Sequence, residues 1–482
     1  MQHTRAVALA ALAILAAGTA AAQSAPPALD VITREDLRRD LFTLASDSMR
    51  GRVAGALDEL RASAWLAERA REAGLLPAGD DGSYFQFFSL RRNRLAPAST
   101  MVVGGAPLRL WEDAVAMAPV AARIDAPIVH GGAAEGRVVV ARLAPPAQIP
   151  RRDVSFWAWR YALAAIREQS ARLRAGNPAA IVFVADSVAA TAFERLAHWQ
   201  QHGQYLLDAP ATAPTAGPPV FLVRPEAMAR LAEGARFTAD LATESFLVPS
   251  VNVVARAPGS DPRLRGEHVL FSAHQDHDGV GDPVNGDSIW NGADDNATVS
   301  VALLAIGRAF VRQPGRRSAL FVWHGAEERG LLGSRWYSAH PTVPRESLVA
   351  VLNGDRIGRN HPDSAALLGA VPPHRNSTAL VEMALEANRR VSRFALDTSW
   401  DDPAHPEGWY FRSDHLPYAR AGVPAIFFTT LLHPDYHTPD DESERIDLAK
   451  LTRMTRWMYA TGWMVANAAQ RPGVDPGFQL ER

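Results

Sequence analysis

Apolar positions near the start of the chain recur at helical spacing. Leu37, Leu41 and Leu44 are followed by Ala62, Trp65, Leu66 and Ala70, so Val31 to Leu76 reads as helical. A polar turn, Ser46 to Arg52, divides this stretch, and Gly74, Pro77, Gly79 and Gly82 end it in a loop. The texture then changes. Between residues 95 and 249, short strand-like runs such as Pro127 to His130 and Gly136 to Val140 alternate with turns rich in Pro and Gly. A helix over Phe156 to Leu173 and a buried strand over Ala180 to Val184 stand inside that region. From Ser250 onward strands and helices alternate. The strands are Val251 to Ala255, Val269 to Ser272, Ala319 to Trp323, Leu348 to Leu352 and Ala425 to Thr429. The helices are Asn296 to Phe310, Gly330 to Ala339, Thr378 to Arg390 and Leu448 to Ala468.

That alternation predicts an α/β fold with a mixed, mostly parallel sheet sandwiched by helices. At 482 residues the chain exceeds one core of about 250 to 300 residues. The expected organisation is an N-terminal helical part at 30–94, an inserted smaller α/β or β-rich domain at 95–249, and the catalytic domain at 250–470. Ahead of these, Arg5, the apolar run Ala6 to Ala17 and the small residues Ala20 to Ala22 form the pattern of an export signal at 1–22. The run falls short of the roughly 20 apolar residues that span a bilayer. The expectation is a periplasmic or secreted protein without stable membrane insertion once the signal is removed.

Charge and cysteine content narrow the chemistry. With 50 Lys and Arg against 52 Asp and Glu, nothing favours nucleic acid or an acidic membrane surface as partner. The chain has no Cys, so any metal must be held by His, Asp and Glu. Five short segments carry those residue types directly after a strand or before a helix: His274-Gln275-Asp276, Asp294-Asp295-Asn296, Glu327-Glu328, Asp355-Arg356 and His437. In parallel sheets, sites collect beyond the carboxyl ends of the strands, where these segments fall. Two imidazoles and three carboxylates suit divalent zinc. Two zinc ions with three carboxylates and a bridging hydroxide are charge-neutral, which avoids burying unpaired charge. Two metals held about 3.5 to 4 Å apart polarise a carbonyl and activate water. The adjacent Glu327 and Glu328 permit one to bind metal while the other moves protons.

In these segments the chain resembles the co-catalytic zinc exopeptidases, which include bacterial secreted leucyl aminopeptidases and glutamate carboxypeptidase. Met49-Arg50-Gly51-Arg52 and Gly82 to Gln86 are similar to stretches in bacterial members. The 95–249 insert resembles a protease-associated domain in position. The resemblance implies two zinc ions per chain, held by His274, Asp295, Glu328, Asp355 and His437, with Asp295 bridging. It implies Glu327 as general base, Asp276 orienting His274, and Tyr410 donating to the oxyanion. Thr298-Val299 departs from the family's Ser-Gly. Asp414 and His415 read as a helix cap and its neighbour. His277, Asp278, His324, His361 and His433 receive no role, although His277 is placed near the mouth of the site. The implied activity is hydrolysis of a peptide substrate at a chain terminus, as an aminopeptidase. A carboxypeptidase, a single-zinc glutaminyl cyclase-like acyltransferase and a non-catalytic relative remain alternatives. No Arg cluster dedicated to a C-terminal carboxylate is evident, with Arg356, Arg359 and Arg412 merely near the motifs.

Overall fold

The computed structural model describes residues 26–131, 134–152, 154–207 and 217–480. The segment read as an export signal lies outside the described residues. Among the described residues no helix is long and apolar enough to cross a membrane.

The larger sheet has ten strands, and its four central ones run parallel. Their order is Ala425–Thr429, Leu348–Gly354, His268–His274, Ser318–His324. Antiparallel strands flank this core: Ser364–Leu368 on one side, and Thr243–Ala257 followed by Phe85–Leu95 on the other. The α/β class and the mixed sheet follow directly from the sequence pattern. Within the central strands successive side chains enter opposite cores. Val269, Phe271 and Ala273 join a cluster with Phe321, Trp323, Leu352 and Phe428. Leu270 faces the other way, with Leu320, Val322 and Val351. This two-residue alternation across two buried faces explains why the strands read as continuous apolar runs.

Helices Arg34–Leu44, Thr298–Arg312, Thr378–Ala387 and Leu448–Asn467 cover the first face. Leu332–Ala339 and His415–Arg420 cover the second, through Tyr337 and Tyr418. Gly462 lets Leu448–Asn467 approach closely, since a Cβ there would sit 2.1 Å from the Phe271 ring. A buried Phe of this kind is worth about 3–5 kcal/mol against truncation to Ala.

A second, eight-stranded sheet is formed by Thr100–Val103, Ala106–Pro107, Ala114–Ala116, Ala122–Val129, Val138–Arg142, Ala180–Val184, Val220–Val223 and Arg236–Leu241. It has hydrophobic clusters of its own. Helices Trp157–Arg174 and Phe193–His202 belong to this part of the chain. Two features were not legible in the periodicity. Phe85–Leu95, mostly within the part expected to be helical, is a long strand, and Gln204–Leu207, from the 95–249 region, pairs with it at the edge of the larger sheet.

Candidate metal centre

The register of the parallel strands brings their carboxyl ends level. His274 pairs across from His324, and Ser272 from Asn353. Each strand then releases one motif at the same edge: His274 to Asp278, Glu327-Glu328, Asp355, and, beyond Thr429, His437. Asp295 arrives just before helix Thr298–Arg312. These loops are tightly shaped. Ala326, Arg356 and His437 all adopt positive φ, at 54°, 54° and 50°. Such strain, on the order of 1 to 3 kcal/mol per residue, persists where surrounding structure over-determines the backbone. Gly325 is required by space, because a Cβ would fall 2.3 Å from the Glu59 carboxylate beneath it.

Six predicted residues converge. His274 Nε2 lies 3.1 Å from Asp295 Oδ1, 3.6 Å from Asp355 Oδ1 and 3.9 Å from Glu327 Oε2. His437 Nε2 lies 3.1 Å from Asp295 Oδ2 and 3.2 Å from Glu328 Oε2. The two oxygens of Asp295 therefore face the two imidazoles, one each. All six side chains are buried or nearly so, with Glu327 the most open at 9%.

The arrangement fits a pair of cations. His274 with Glu327 and Asp355, and His274 with Asp295 and Glu328, offer ligand atoms within 4.8 Å of one another, as do Asp278, Glu328 and His437. His274 Nε2, His437 Nε2, Asp295 Oδ1 and Asp355 Oδ1 are buried and make no hydrogen bond of good geometry. Each such atom costs about 1–3 kcal/mol unless something satisfies it. The electrostatics carry the same message. Burial works against a charged His274, yet Glu327, Asp295 and Asp355 override it and hold the imidazole well above its ordinary value. For His437, burial is likewise overcome, by Glu328, Tyr436 and Asp278. Burial, reinforced by Glu328, Asp414 and Asp355, pushes the Glu327 carboxyl well above the carboxylate range. A carboxyl of raised basicity is what a proton-transferring group needs.

The supporting residues differ in part from the sequence expectation. Asp276 does not hold the His274 ring through its carboxylate, which stays 3.8 Å from Nδ1; its backbone oxygen, at 3.1 Å, is the nearer partner. The carboxylate instead accepts from the amides of Glu327 and Glu328, at 3.0 and 3.3 Å, and anchors that loop. Asp441 does the same for Asp294 and Asp295. Ser413 Oγ donates to Asp355 at 2.9 Å and accepts from Asn353, which orients Asp355. Asp414 makes no cap to helix His415–Arg420; burial pushes its carboxyl up to about 7. Tyr410 is fully buried, its ring stacked 4.3 Å from His374 and edge-on to His415. The residues lining the adjoining cleft include Phe411, Arg412 and Tyr436 but not Tyr410.

Three contributors were missed. Asp278 lies 2.8 Å from His437 Nδ1, and His277 Nδ1 lies 3.0 Å from Glu328 Oε1, deep in the site rather than at its mouth. Arg356 is buried, 3.0 Å from Asp295 Oδ2 and 3.2 Å from Asp355 Oδ2, with its guanidinium over Trp409 and Tyr436. The only advance signal was a run of chemistry-bearing residues adjoining each motif.

Helices Trp157–Arg174 and Phe193–His202 reach the site. Trp199 stacks on the His437 ring at 5.7 Å, Phe156 meets it edge-on at 5.8 Å, and Arg195 donates to its backbone oxygen at 2.9 Å. Together with Glu327, Glu328 and Arg412 these residues bound a cleft of about 270 Å³.

Known proteins share sequence and fold with this chain. A probable leucine aminopeptidase of Arthroderma benhamiae is 25% identical over 242 residues, covering 48% of this chain and 61% of its own. Aminopeptidase YwaD of Bacillus subtilis is 26% identical over 188 residues, 38% of this chain and 39% of its own. The chain thus spans about three-fifths or less of the length of these curated relatives. A solved zinc aminopeptidase from Bacillus subtilis superposes with a TM-score of 0.60 at 17% identity, over 93% of this chain and 99% of that one. The aminopeptidase from Aneurinibacillus sp. strain AM-1 gives 0.58 at 17% identity, over 92% and 96%. These two likenesses establish the shared fold. The profile of peptidase family M28 matches residues 252–462, the stretch that supplies every motif at this sheet edge.

Proposed function

We propose that the protein is a di-zinc aminopeptidase, hydrolysing the peptide bond next to a free amino terminus. The observation that carries this reading is Asp295, whose two oxygens each face a different imidazole, while its Oδ1, Asp355 Oδ1 and both imidazole Nε2 atoms make no hydrogen bond. His274, Asp295 and Asp355 would hold one zinc, and His437, Asp295 and Glu328 the other. Bound there, the metals supply polarisation of the scissile carbonyl and acidification of a water molecule. The chain's own residues do the rest. Glu327 takes the proton of the attacking water at its carboxylate and returns it to the departing amine as the C–N bond breaks. Asp276 fixes Glu327 through its amide, and Asp278 fixes His437. Phe156, Trp159 and Trp199 give the cleft an apolar wall. The leucine aminopeptidase and zinc aminopeptidase names of the relatives favour the amino terminus over the carboxyl terminus. The export reading of residues 1–22 belongs to the same proposal.

The test is a panel of chromogenic amino-acid amides with free and with blocked amino groups. The account expects release from the free amides, abolished by chelation and restored by zinc. Cleavage confined to blocked substrates overturns the aminopeptidase assignment.

A further inference from the structure

The cleft beside the metal centre carries a charge pattern that the motifs do not explain. Three guanidiniums line it: Arg160 and Arg195 from the two helices of the insert, and Arg412 from the loop before helix His415–Arg420. Arg160 and Arg412 share one carboxylate, Glu407, at 2.6 and 2.9 Å. Glu407 is itself nearly fully buried, with 2% of its side chain exposed, and does not line the cleft. Among the described residues Arg195 makes no ion pair. One of its nitrogens donates to the His437 backbone, and the group lies 4.2 Å from the Phe156 ring centre. Burial holds both Arg160 and Arg195 below the ordinary arginine value, as expected for cations that their surroundings undercompensate.

The acid side chains lining the cleft are Glu327 and Glu328, and the proposed chemistry already uses both. Among the described residues no further lining carboxylate is left to receive a cation. Two positive charges are left over instead, beside the aromatic side chains Phe156, Trp159 and Trp199. A planar guanidinium beside an apolar wall matches a carboxylate in a fork of hydrogen bonds. A volume of about 270 Å³ is at the small end for ligand pockets, room for a residue or two rather than a long chain.

Resting on the peptidase reading above, we propose that this cleft is a carboxylate subsite, so that preferred substrates carry a carboxylate within about one residue of the scissile bond. The carboxylate has two sources. It is the free carboxyl end of a very short peptide, or the side chain of an acidic residue. The insert thereby sets specificity, which a substrate scan of the metal motifs alone would not reveal. A purely tethering role, with Arg160, Glu407 and Arg412 holding the insert in place, makes no distinction between charged and neutral substrates.

The experiment compares kcat/KM of the zinc-loaded full chain on matched pairs. Leu-Leu against Leu-Leu amide reads the chain end. Leu-Glu amide against Leu-Gln amide, and Glu-Leu amide against Gln-Leu amide, read an acidic side chain. A charge-assisted contact of this kind predicts a preference of roughly 10- to 100-fold for the charged member of at least one pair. In Arg195→Gln and Arg412→Gln that ratio falls toward one. The same pairs, measured for binding to the Glu327→Gln variant, give the preference without turnover. A preference in either assay that the arginine variants erase supports the subsite, and the pair concerned names the source. Equal kcat/KM within every pair overturns the subsite and leaves the peptidase standing. A carboxylate preference in binding with no cleavage of any peptide by the parent enzyme overturns the peptidase reading alone.

Discussion

Replacing Arg356 by Met tests how the metal centre balances its charge. Met keeps apolar contact with Trp409 and Tyr436 but removes the cation 3.0 and 3.2 Å from Asp295 and Asp355. At an effective dielectric of about 20, each contact contributes about 5 kcal/mol of gross attraction. Desolvation offsets most of it, and breaking a buried pair from one side costs about 3–5 kcal/mol. Unfolding entropy near 2.1 cal/mol/K per residue makes 1 kcal/mol worth about 1 °C in a chain of 482 residues. The chelated variant is therefore expected to melt about 3–5 °C below the chelated parent in scanning calorimetry. Zinc supplies the positive charge that Arg356 no longer provides, so saturating zinc should raise the variant's Tm by more than the parent's and narrow the gap. An unchanged Tm in the chelated variant, or a zinc-induced rise no larger than the parent's, refutes this reasoning.

Three further outcomes follow from the geometry. Glu327→Gln keeps the shape and the zinc content but loses the proton carrier, so kcat should fall roughly 10²–10⁴-fold with folding unchanged by circular dichroism; near-normal turnover removes Glu327 from its role. Asp278→Asn weakens the partner of His437 and should lower zinc affinity about 10- to 100-fold in buffered-zinc titrations. His268, at the opposite end of its strand from the metal residues, is held down to about 4 by burial, aided by Arg256. Its folded value lies below the unfolded one, so the stability it contributes is present above about pH 6.5 and is lost as pH falls toward 4. Relative to His268→Gln, the parent should lose about 2 kcal/mol between pH 7.5 and 5 in urea unfolding, and a constant difference across that range refutes the shift.

Much of the architecture was readable because the central strands are buried on both faces. Their side chains have nowhere polar to point, so Val269 to Ser272 and Leu348 to Leu352 stand out as apolar runs, and turn residues mark where they stop. The site residues were readable for a related reason: a His, Asp or Glu near the end of one such run is more often structural, but five such segments at one sheet edge are not. What was not readable depends on contacts that cross long stretches of chain. Asp278 meets His437 and Arg356 meets Asp295 only because the sheet brings distant loops to one edge. Arg160 and Arg195 lie on helices whose pattern shows an apolar face toward the insert's own core and nothing of the cleft on the other side. Tyr410 followed from resemblance alone; its ring stacks on His374. The strand Phe85–Leu95 gave no strand signal in the sequence because Arg91, Arg92 and Arg94 interrupt its apolar alternation.

The central claim is that Asp295 joins two cation sites built by His274, Asp355, Glu328 and His437. Crystals of the zinc-loaded protein, measured on both sides of the zinc absorption edge, test it most directly. The account predicts two anomalous peaks per chain, about 3.5 to 4 Å apart, with Asp295 touching both. A single peak, or two peaks that Asp295 does not bridge, contradicts it.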